Sequence, residues 1–458
     1  MPAVRRKEAA LYLIAAVLGS SVAMAEPSPR SPSAREIEFA DEKVNSLNLD
    51  VSIGAIQSDN ISRVSTNEED GTVAIGGLNL KFRENTRRLQ ADVDADLGYE
   101  HYLDDESEDG VIGQARGVVT VGLVPESLEW FLEDQFSQSR VDLFSADTPE
   151  NRQNVNRFET GPDAQLRLSD AYSLRLSGRY AGVDYETSAA DGDRVSGSIA
   201  IARQLGTARE ASFNISSEDV NFDDAGNVGY QRNSAYMRYV AQTSRTELSA
   251  DLGYHRIEDD LGTSADGMLL DVLLLRRVSA NSRLSLNLGT RFSDAGEIVL
   301  LPPGAESGGL DPIAVNGEPF EGRHVNLAWD FERNRTSIGL FVEYRQERYD
   351  NSVDSDRDLL MYSAHIYRRL TSRIEMYARV EHAREDFDNA DSYNEGLVGN
   401  LGIMARLGNS ARIGLEGVYR DRQSTNTVSE YTENRLALYV VWSPVSRGQE
   451  ALHRWQWN

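Results

Sequence analysis

The clearest chemical feature of this 458-residue sequence is a row of carboxylates at every second position, formed by Asp92, Asp94 and Asp96 and followed by Glu100. Apolar residues occupy the intervening positions from Leu89 onward. Because successive side chains of a β-strand point to opposite faces, the carboxylates share one face and the apolar residues share the other. Such a strand has one face suited to water and charged groups and one suited to an apolar surrounding.

Other segments carry charges at the same alternating parity, and their signs are mixed. We interpret these residues, together with Asp92, Asp94, Asp96 and Glu100, as the lining of a hydrated lumen in which acids and bases pair across strands. Two interpretations stay open: the ion pairs only brace a narrow barrel, or they line a selective conduit for a carbohydrate chain or small solutes. The further residues are Glu129, Glu133, Arg167, Arg175, Arg179, Arg232, Arg238, Arg291 and Arg379.

Signatures of catalysis and of metal binding are weak. The sequence has neither Gly-x-Ser-x-Gly nor His-Glu-x-x-His, its six histidines are scattered, and it contains no cysteine. The acidic loop segments lack the spacing of a twelve-residue calcium loop. We therefore predict a non-enzymatic protein with no catalytic residues, no cofactor and no metal site.

The elements that position these charges are strands of about ten or more residues, which recur about every 20 residues. This pattern predicts an all-β fold, a transmembrane antiparallel up-and-down β-barrel of about 20 strands (18–20). A mean hydropathy of -0.47 is compatible with it, since only alternate residues face lipid. Short connections alternate with longer acidic ones, and the longest, Asp294 to Glu321, is predicted to be a plug or lid.

The order of segments predicts passage to the cell outer membrane. Residues 1–25 resemble a cleaved signal peptide, with Arg5, Arg6 and Lys7 before an apolar stretch and Ala23-Met24-Ala25 before the cut. Residues 26–43 form a flexible periplasmic lead-in, 44–443 the barrel, and 444–458 a tail after the closing strand that the barrel-assembly machinery recognises. Expected partners are outer-membrane lipid and that machinery. A formal net charge of -26 argues against nucleic acid.

Aromatic residues near strand ends predict girdles at the lipid headgroups. They are Tyr99, Trp130, Phe136, Tyr180, Tyr254, Trp329, Phe331, Tyr344, Tyr419 and Trp442.

One loop and the strand after it resemble a known family. The residues are Asp59-Asn60-Ile61-Ser62-Arg63, then Asn67-Glu68-Glu69-Asp70 and the strand Val73 to Leu80. This pattern is similar to that of a family of outer-membrane β-barrel proteins of the porin type, associated with exopolysaccharide biosynthesis and PEP-CTERM systems in Gram-negative bacteria. Asp59, Asn60, Arg63 and Asn67 carry the resemblance. From the residues themselves, Gly76-Gly77 predicts a β-bulge where the apolar parity switches.

The resemblance implies a non-enzymatic part in export or outer-membrane passage of an exopolysaccharide, with the polymer and its export machinery as partners. The first alternative is a general diffusion porin for small solutes. The second is a membrane-embedded hydrolase or a structural surface protein.

Overall fold

The structure, a computed structural model, describes residues 45–103, 107–142, 145–187, 190–224, 226–294, 318–349, 356–388 and 392–447. Among these residues, no helix is long and apolar enough to cross a membrane. The predicted signal peptide and lead-in, most of the predicted lid and the end of the tail lie outside the described residues.

Twenty strands account for most of the described chain. They are β1 (Ser46–Ser58), β2 (Gly71–Asn85), β3 (Leu89–Tyr102), β4 (Gly110–Val124), β5 (Leu128–Arg140), β6 (Arg152–Arg167), β7 (Tyr172–Tyr185), β8 (Gly192–Gly206), β9 (Arg209–Phe222), β10 (Tyr230–Gln242), β11 (Thr246–Asp259), β12 (Ser264–Ser279), β13 (Ser282–Ser293), β14 (Phe320–Arg333), β15 (Thr336–Tyr349), β16 (Arg357–Arg369), β17 (Ile374–Phe387), β18 (Ser392–Arg406), β19 (Ala411–Ser424) and β20 (Tyr431–Arg447).

The strands form one closed barrel. Each strand pairs antiparallel with its neighbours in sequence, and β20 pairs with β1. The predicted all-β, up-and-down barrel of about 20 strands is confirmed. Connections of two to four residues lie at one end, the short-turn end, and connections of four to 26 residues lie at the other, the long-loop end. Closure leaves the sheet without an edge strand.

The two faces of the wall differ in polarity, as strand β1 illustrates. Ile53 is 71% exposed on the outer face, whereas the alternate residues Asp50 and Ser52 are buried on the inner face. The inner face is identified by contacts between strands that are not neighbours, such as the 3.4 Å contact between the hydroxyls of Tyr377 on β17 and Tyr439 on β20. The period-two pattern thus separates an apolar exterior from an interior that holds most of the charged side chains of the wall.

Exposed aromatic rings border the apolar exterior. Tyr99, Tyr254 and Tyr419 lie towards the long-loop end, and Trp130 and Trp442 lie towards the short-turn end. Along β19, Tyr419 is eight residues from Ala411, which pairs with Trp442. At about 3.3 Å per residue this spans about 26 Å along the strand, a length suited to a tilted strand in an outer membrane.

The seam between β20 and β1 contains an irregularity at Pro444. Val51 pairs with Trp442 and Leu49 pairs with Val445, so the register shifts between them. Proline has no N–H to donate to the ladder, which favours a bulge at this place. Strand β20 continues past Pro444 to Arg447, whereas the tail was predicted to begin at the proline.

The predicted bulge at Gly76-Gly77 was wrong. The pairing of β2 with β1 and with β3 runs through both glycines without a shift. Val73 and Ile75 instead face the lumen, where they pack in a buried apolar cluster with residues such as Ile61. The apolar residues change parity in the sequence because the lumen itself changes from apolar to polar along the strand, while the register stays the same.

Inward rings cover glycines on adjacent strands, and this predicts a position-specific effect. A Cβ on Gly402 of β18 would lie 2.2 Å from Cζ of Tyr377, whereas a Cβ on Gly399 would meet no atom within 4 Å. We expect Gly402→Ala to lower the free energy of unfolding by about 1–3 kcal/mol. The control Gly399→Ala should change it by about 0.5 kcal/mol or less. The measurement is the midpoint of heat-induced loss of the folded gel band, and equal midpoints would contradict the packing described.

Candidate functional site

The residues predicted to line the lumen lie at inward strand positions. Along each strand they alternate with the outward residues, and the strand registers place them opposite other inward residues on the neighbouring strands. The structure distributes them over much of the wall rather than gathering them in one pocket. They are Asp92, Asp94, Asp96 and Glu100 on β3, Glu129 and Glu133 on β5, Arg167 on β6, Arg175 and Arg179 on β7, Arg232 and Arg238 on β10, Arg291 on β13 and Arg379 on β17.

The acidic face of β3 is paired with bases of β2 that sequence analysis did not single out. Asp92 lies 3.4 Å from Nε of Arg83, and Asp94 lies 3.4 Å from Nζ of Lys81. Asp96 is opposite Asn79. The bases offset much of the negative charge of this face. Since both bases alternate along β2 as the acids do along β3, matching charged rows in neighbouring strands was the signal that could have identified them.

Further pairs continue this pattern along the wall. Arg175 makes two bonds of 2.6 and 2.7 Å to Glu210, and Arg238 makes two bonds of 2.7 and 2.6 Å to Asp251. Two parallel bonds fix the guanidinium relative to the carboxylate. These pairs join neighbouring strands or next neighbours, so they lie along the wall.

The long-loop end holds a denser set, which we call the mouth network. It contains seven arginines and five carboxylates from strands and loops around the lumen. Glu100 is among the residues predicted to line the lumen and Arg63 belongs to the family-like motif, but the meeting of these twelve residues was not predicted, because they come from segments far apart in the chain. The members are Arg63, Glu100, Arg140, Asp147, Arg152, Glu347, Arg357, Glu385, Arg420, Arg422, Glu433 and Arg435.

Glu433 is the most heavily bonded carboxylate of the mouth network. It is fully buried, and it accepts bonds from Arg63 (3.2 Å), Arg420 (3.0 Å) and Arg435 (2.5 Å). The hydroxyl of Ser58 donates a fourth bond of 2.6 Å. One carboxylate therefore joins the loop between β1 and β2 to the two final strands.

The family-like motif places Arg63 in this network. Asp59 accepts bonds of 2.7 and 2.8 Å from the backbone and side-chain amides of Asn434. Asn60 donates to the carbonyl oxygens of Val64 and Thr432, at 2.8 and 3.0 Å. Arg63 and Asn67 have left-handed backbone angles, with φ of 49° and 57°. The motif thus docks its loop on β20 and directs Arg63 inward.

Two contacts cross the lumen at this end. Nη2 of Arg140, at the end of β5, lies 3.4 Å from Oε2 of Glu385 on β17, eight strands away around the barrel. Arg194 on β8 lies 2.5 Å from Asp294, the residue after β13. Asp294 also accepts a bond from the hydroxyl of Tyr230. The lumen is therefore bridged at the long-loop end, and Asp294 brings the start of the longest connection inside it.

Asp147 links two arginines of the network and predicts a pH dependence. Burial alone would raise the pKa of Asp147, but Arg152 and Arg63 outweigh burial and hold the pKa well below its ordinary value of 3.8. A lowered carboxyl pKa contributes stability above the unfolded pKa, and this stability is lost as the pH falls through the folded pKa.

We expect Asp147→Asn to have a lower thermal midpoint than the wild type. This difference should stay constant from about pH 8 to pH 5 and should shrink only below about pH 4. Thermal unfolding across this range measures it. A difference that vanishes near neutral pH would show that the carboxylate is not held by the arginines.

No group of three or more histidine or carboxylate side chains suited to a metal ion occurs within the described part of the chain. The arrangement is suited to ion pairing and to recognition of charged groups.

Comparisons with known proteins give structural similarities only. No protein-family model and no curated protein sequence matches the chain. Among solved structures, a variant of the ferric enterobactin receptor PfeA from Pseudomonas aeruginosa is 9% identical, with a TM-score of 0.43 over 87% of this chain and 81% of that chain. The copper transporter OprC is 10% identical, with a TM-score of 0.41 over 88% and 81%. The FrpB iron transporter from Neisseria meningitidis is 8% identical, with a TM-score of 0.40 over 88% and 82%. Similarity at this level assigns neither a ligand nor an activity to this chain.

Proposed function

We propose that this protein is a non-enzymatic outer-membrane channel for hydrophilic molecules, which pass along the charged lumen. The observation that carries the proposal is the contrast between the two faces of the closed wall. Large apolar residues such as Ile53 and Leu438 are exposed outside, whereas paired acids and bases such as Arg238 and Asp251 lie inside. Lipid suits the first face and water the second.

The distribution of ion pairs suggests how passage is limited. Pairs near the short-turn end lie along the wall, whereas the contacts of Arg140 with Glu385 and of Arg194 with Asp294 cross the lumen. A barrel of about 20 strands is wide enough for an aqueous channel unless something fills it. The crossing pairs make the long-loop end the narrow part of the proposed channel.

Location and topology test this proposal. The protein should fractionate with the outer membrane and resist extraction by salt. Because the chain has no cysteine, single cysteines can be introduced as unique labels. Those at Asp224, Asp260 and Asp356, at the long-loop end, should react with an impermeant maleimide on intact cells. Those at Ser244 and Ser372, at the short-turn end, should react only after cell disruption. Recovery in the soluble periplasm, or labelling that ignores this division, would refute the proposal.

Passage of an exopolysaccharide is a second candidate, supported by aromatic rings on the inner face in addition to the family resemblance. Sugars bind through the faces of aromatic rings combined with hydrogen-bonding groups. Tyr236 and Tyr377 lie at inward positions and are partly exposed, whereas seven other inward tyrosines are buried. A deletion strain should lose secreted polymer while its uptake of small solutes stays normal. Normal secretion with impaired uptake would instead favour a diffusion porin. The buried inward tyrosines are Tyr102, Tyr185, Tyr230, Tyr349, Tyr367, Tyr431 and Tyr439.

A further inference from the structure

One arginine of the mouth network differs from the rest. Arg422 on β19 is only 4% exposed, yet none of its three guanidinium nitrogens has a hydrogen-bond partner among the described residues. A buried charge without a partner is costly, and buried polar groups in proteins are nearly always satisfied. A bound group that is not part of the polypeptide would resolve this cost.

The surroundings of Arg422 favour an anion as that group. Two carboxylates interact with it electrostatically, Asp147 from the loop between β5 and β6 and Glu385 from β17. Asp147 receives bonds from Arg63 (3.2 Å) and Arg152 (3.3 Å), and Glu385 already receives bonds from Arg140 (3.4 Å) and Arg357 (3.3 Å). Asn394 donates a further, long bond of 3.5 Å to the same carboxylate. Both carboxylates are therefore shared among other donors, and neither accepts a hydrogen bond from Arg422.

Charge within the mouth network supports the same conclusion. Its seven arginines exceed its five carboxylates by two, although the whole chain has a formal net charge of -26. Arg422 is also two residues from the end of β19, close to the contact that crosses the lumen. A molecule entering from the long-loop end would meet a local positive excess there.

We propose that Arg422 is the main recognition residue of an oxyanion site at the long-loop end of the lumen, which takes a carboxylate, sulfate or phosphate group. A planar guanidinium with free donors binds two oxygens of such a group at once. The site deepens the proposed channel function, because it would select anionic solutes or acidic sugars. Its occupancy does not depend on conduction, so the two proposals can fail separately.

Calorimetric titration of the purified full-length barrel in detergent tests the site. Sodium glucuronate and sodium sulfate serve as probes, with glucose and sodium chloride at matched ionic strength as references. Glucuronate or sulfate should bind in excess of the references, and Arg422→Gln should weaken that binding about tenfold or more. Preference for glucuronate would indicate acidic sugars, and preference for sulfate would indicate small inorganic anions. Both results support the site.

Stability without ligand separates recognition from a structural role. Since Arg422 makes no hydrogen bond to the described residues, Arg422→Gln should leave the thermal midpoint of the anion-free barrel unchanged or higher. The control Arg238→Gln deprives Asp251 of its two bonds, so it should lower the midpoint while leaving glucuronate binding intact. The proposal is overturned if neither anion binds better than chloride, if Arg422→Gln binds as the wild type does, or if Arg422→Gln alone destabilises the anion-free barrel.

Discussion

Glu433→Ala is expected to lower the free energy of unfolding by about 3–5 kcal/mol. The substitution removes the acceptor of bonds from Arg63, Arg420 and Arg435, and it leaves buried guanidiniums with less compensating charge. Removing one partner of a buried ion pair costs more than the pair itself contributes, because the remaining charge stays buried.

The midpoint temperature of folded-barrel loss on gels measures this effect. Glu258→Ala is a matched control, because Glu258 belongs to an exposed pair with Arg256, with a 3.4 Å contact. Exposed pairs contribute about 0–1 kcal/mol, so the control should change little. Similar midpoints for the two variants would show that Glu433 does not hold the mouth network together.

Removal of the contact between Arg140 and Glu385 is expected to raise single-channel conductance, roughly twofold or more, because the contact crosses the lumen. The variant is the double substitution Arg140→Ala with Glu385→Ala, which avoids leaving either partner alone. Arg357 keeps its bonds of 2.7 and 3.1 Å to Glu347, so the neighbouring pair survives.

Planar bilayer recordings of the purified proteins give the comparison. Arg256→Ala with Glu258→Ala, an exposed charge pair on the outer face, should conduct as the wild type does. Conductance that is the same in all three proteins would place the narrow part of the pathway elsewhere.

The period-two pattern was sufficient to predict the wall. Alternation from Leu89 to Glu100 assigned Asp92, Asp94 and Asp96 to one face, and the structure describes these residues at inward positions. The alternation of short connections with longer acidic ones distinguished the two ends of the barrel. These features could be predicted because each depends on residues that are close together in the sequence.

The mouth network could not be predicted in this way, since its bonds depend on contacts between distant segments. Arg63 and Glu433 are 370 residues apart, and Arg140 and Glu385 are 245 apart. The alternation of apolar and polar residues assigns each side chain to the inner or the outer face of the wall. It does not show which strand lies opposite across the lumen. The same limit explains Gly76-Gly77, where a change of polarity along the lumen resembled a change of register.

Side-specific labelling along β8 tests most directly the claim that this wall separates lipid from a water-filled lumen. Cysteines are introduced one at a time at Ser196 and Ser198, on the inner face, and at Val195 and Ile199, which are exposed on the outer face. In native outer membranes, the inner pair should react with a small water-soluble thiol reagent. In reconstituted bilayers, fluorophores on the outer pair should be quenched by brominated lipid. The predicted result is that the inner pair reacts and the outer pair is quenched. Uniform reaction or uniform quenching at all four positions would show that the wall does not separate lipid from a water-filled lumen.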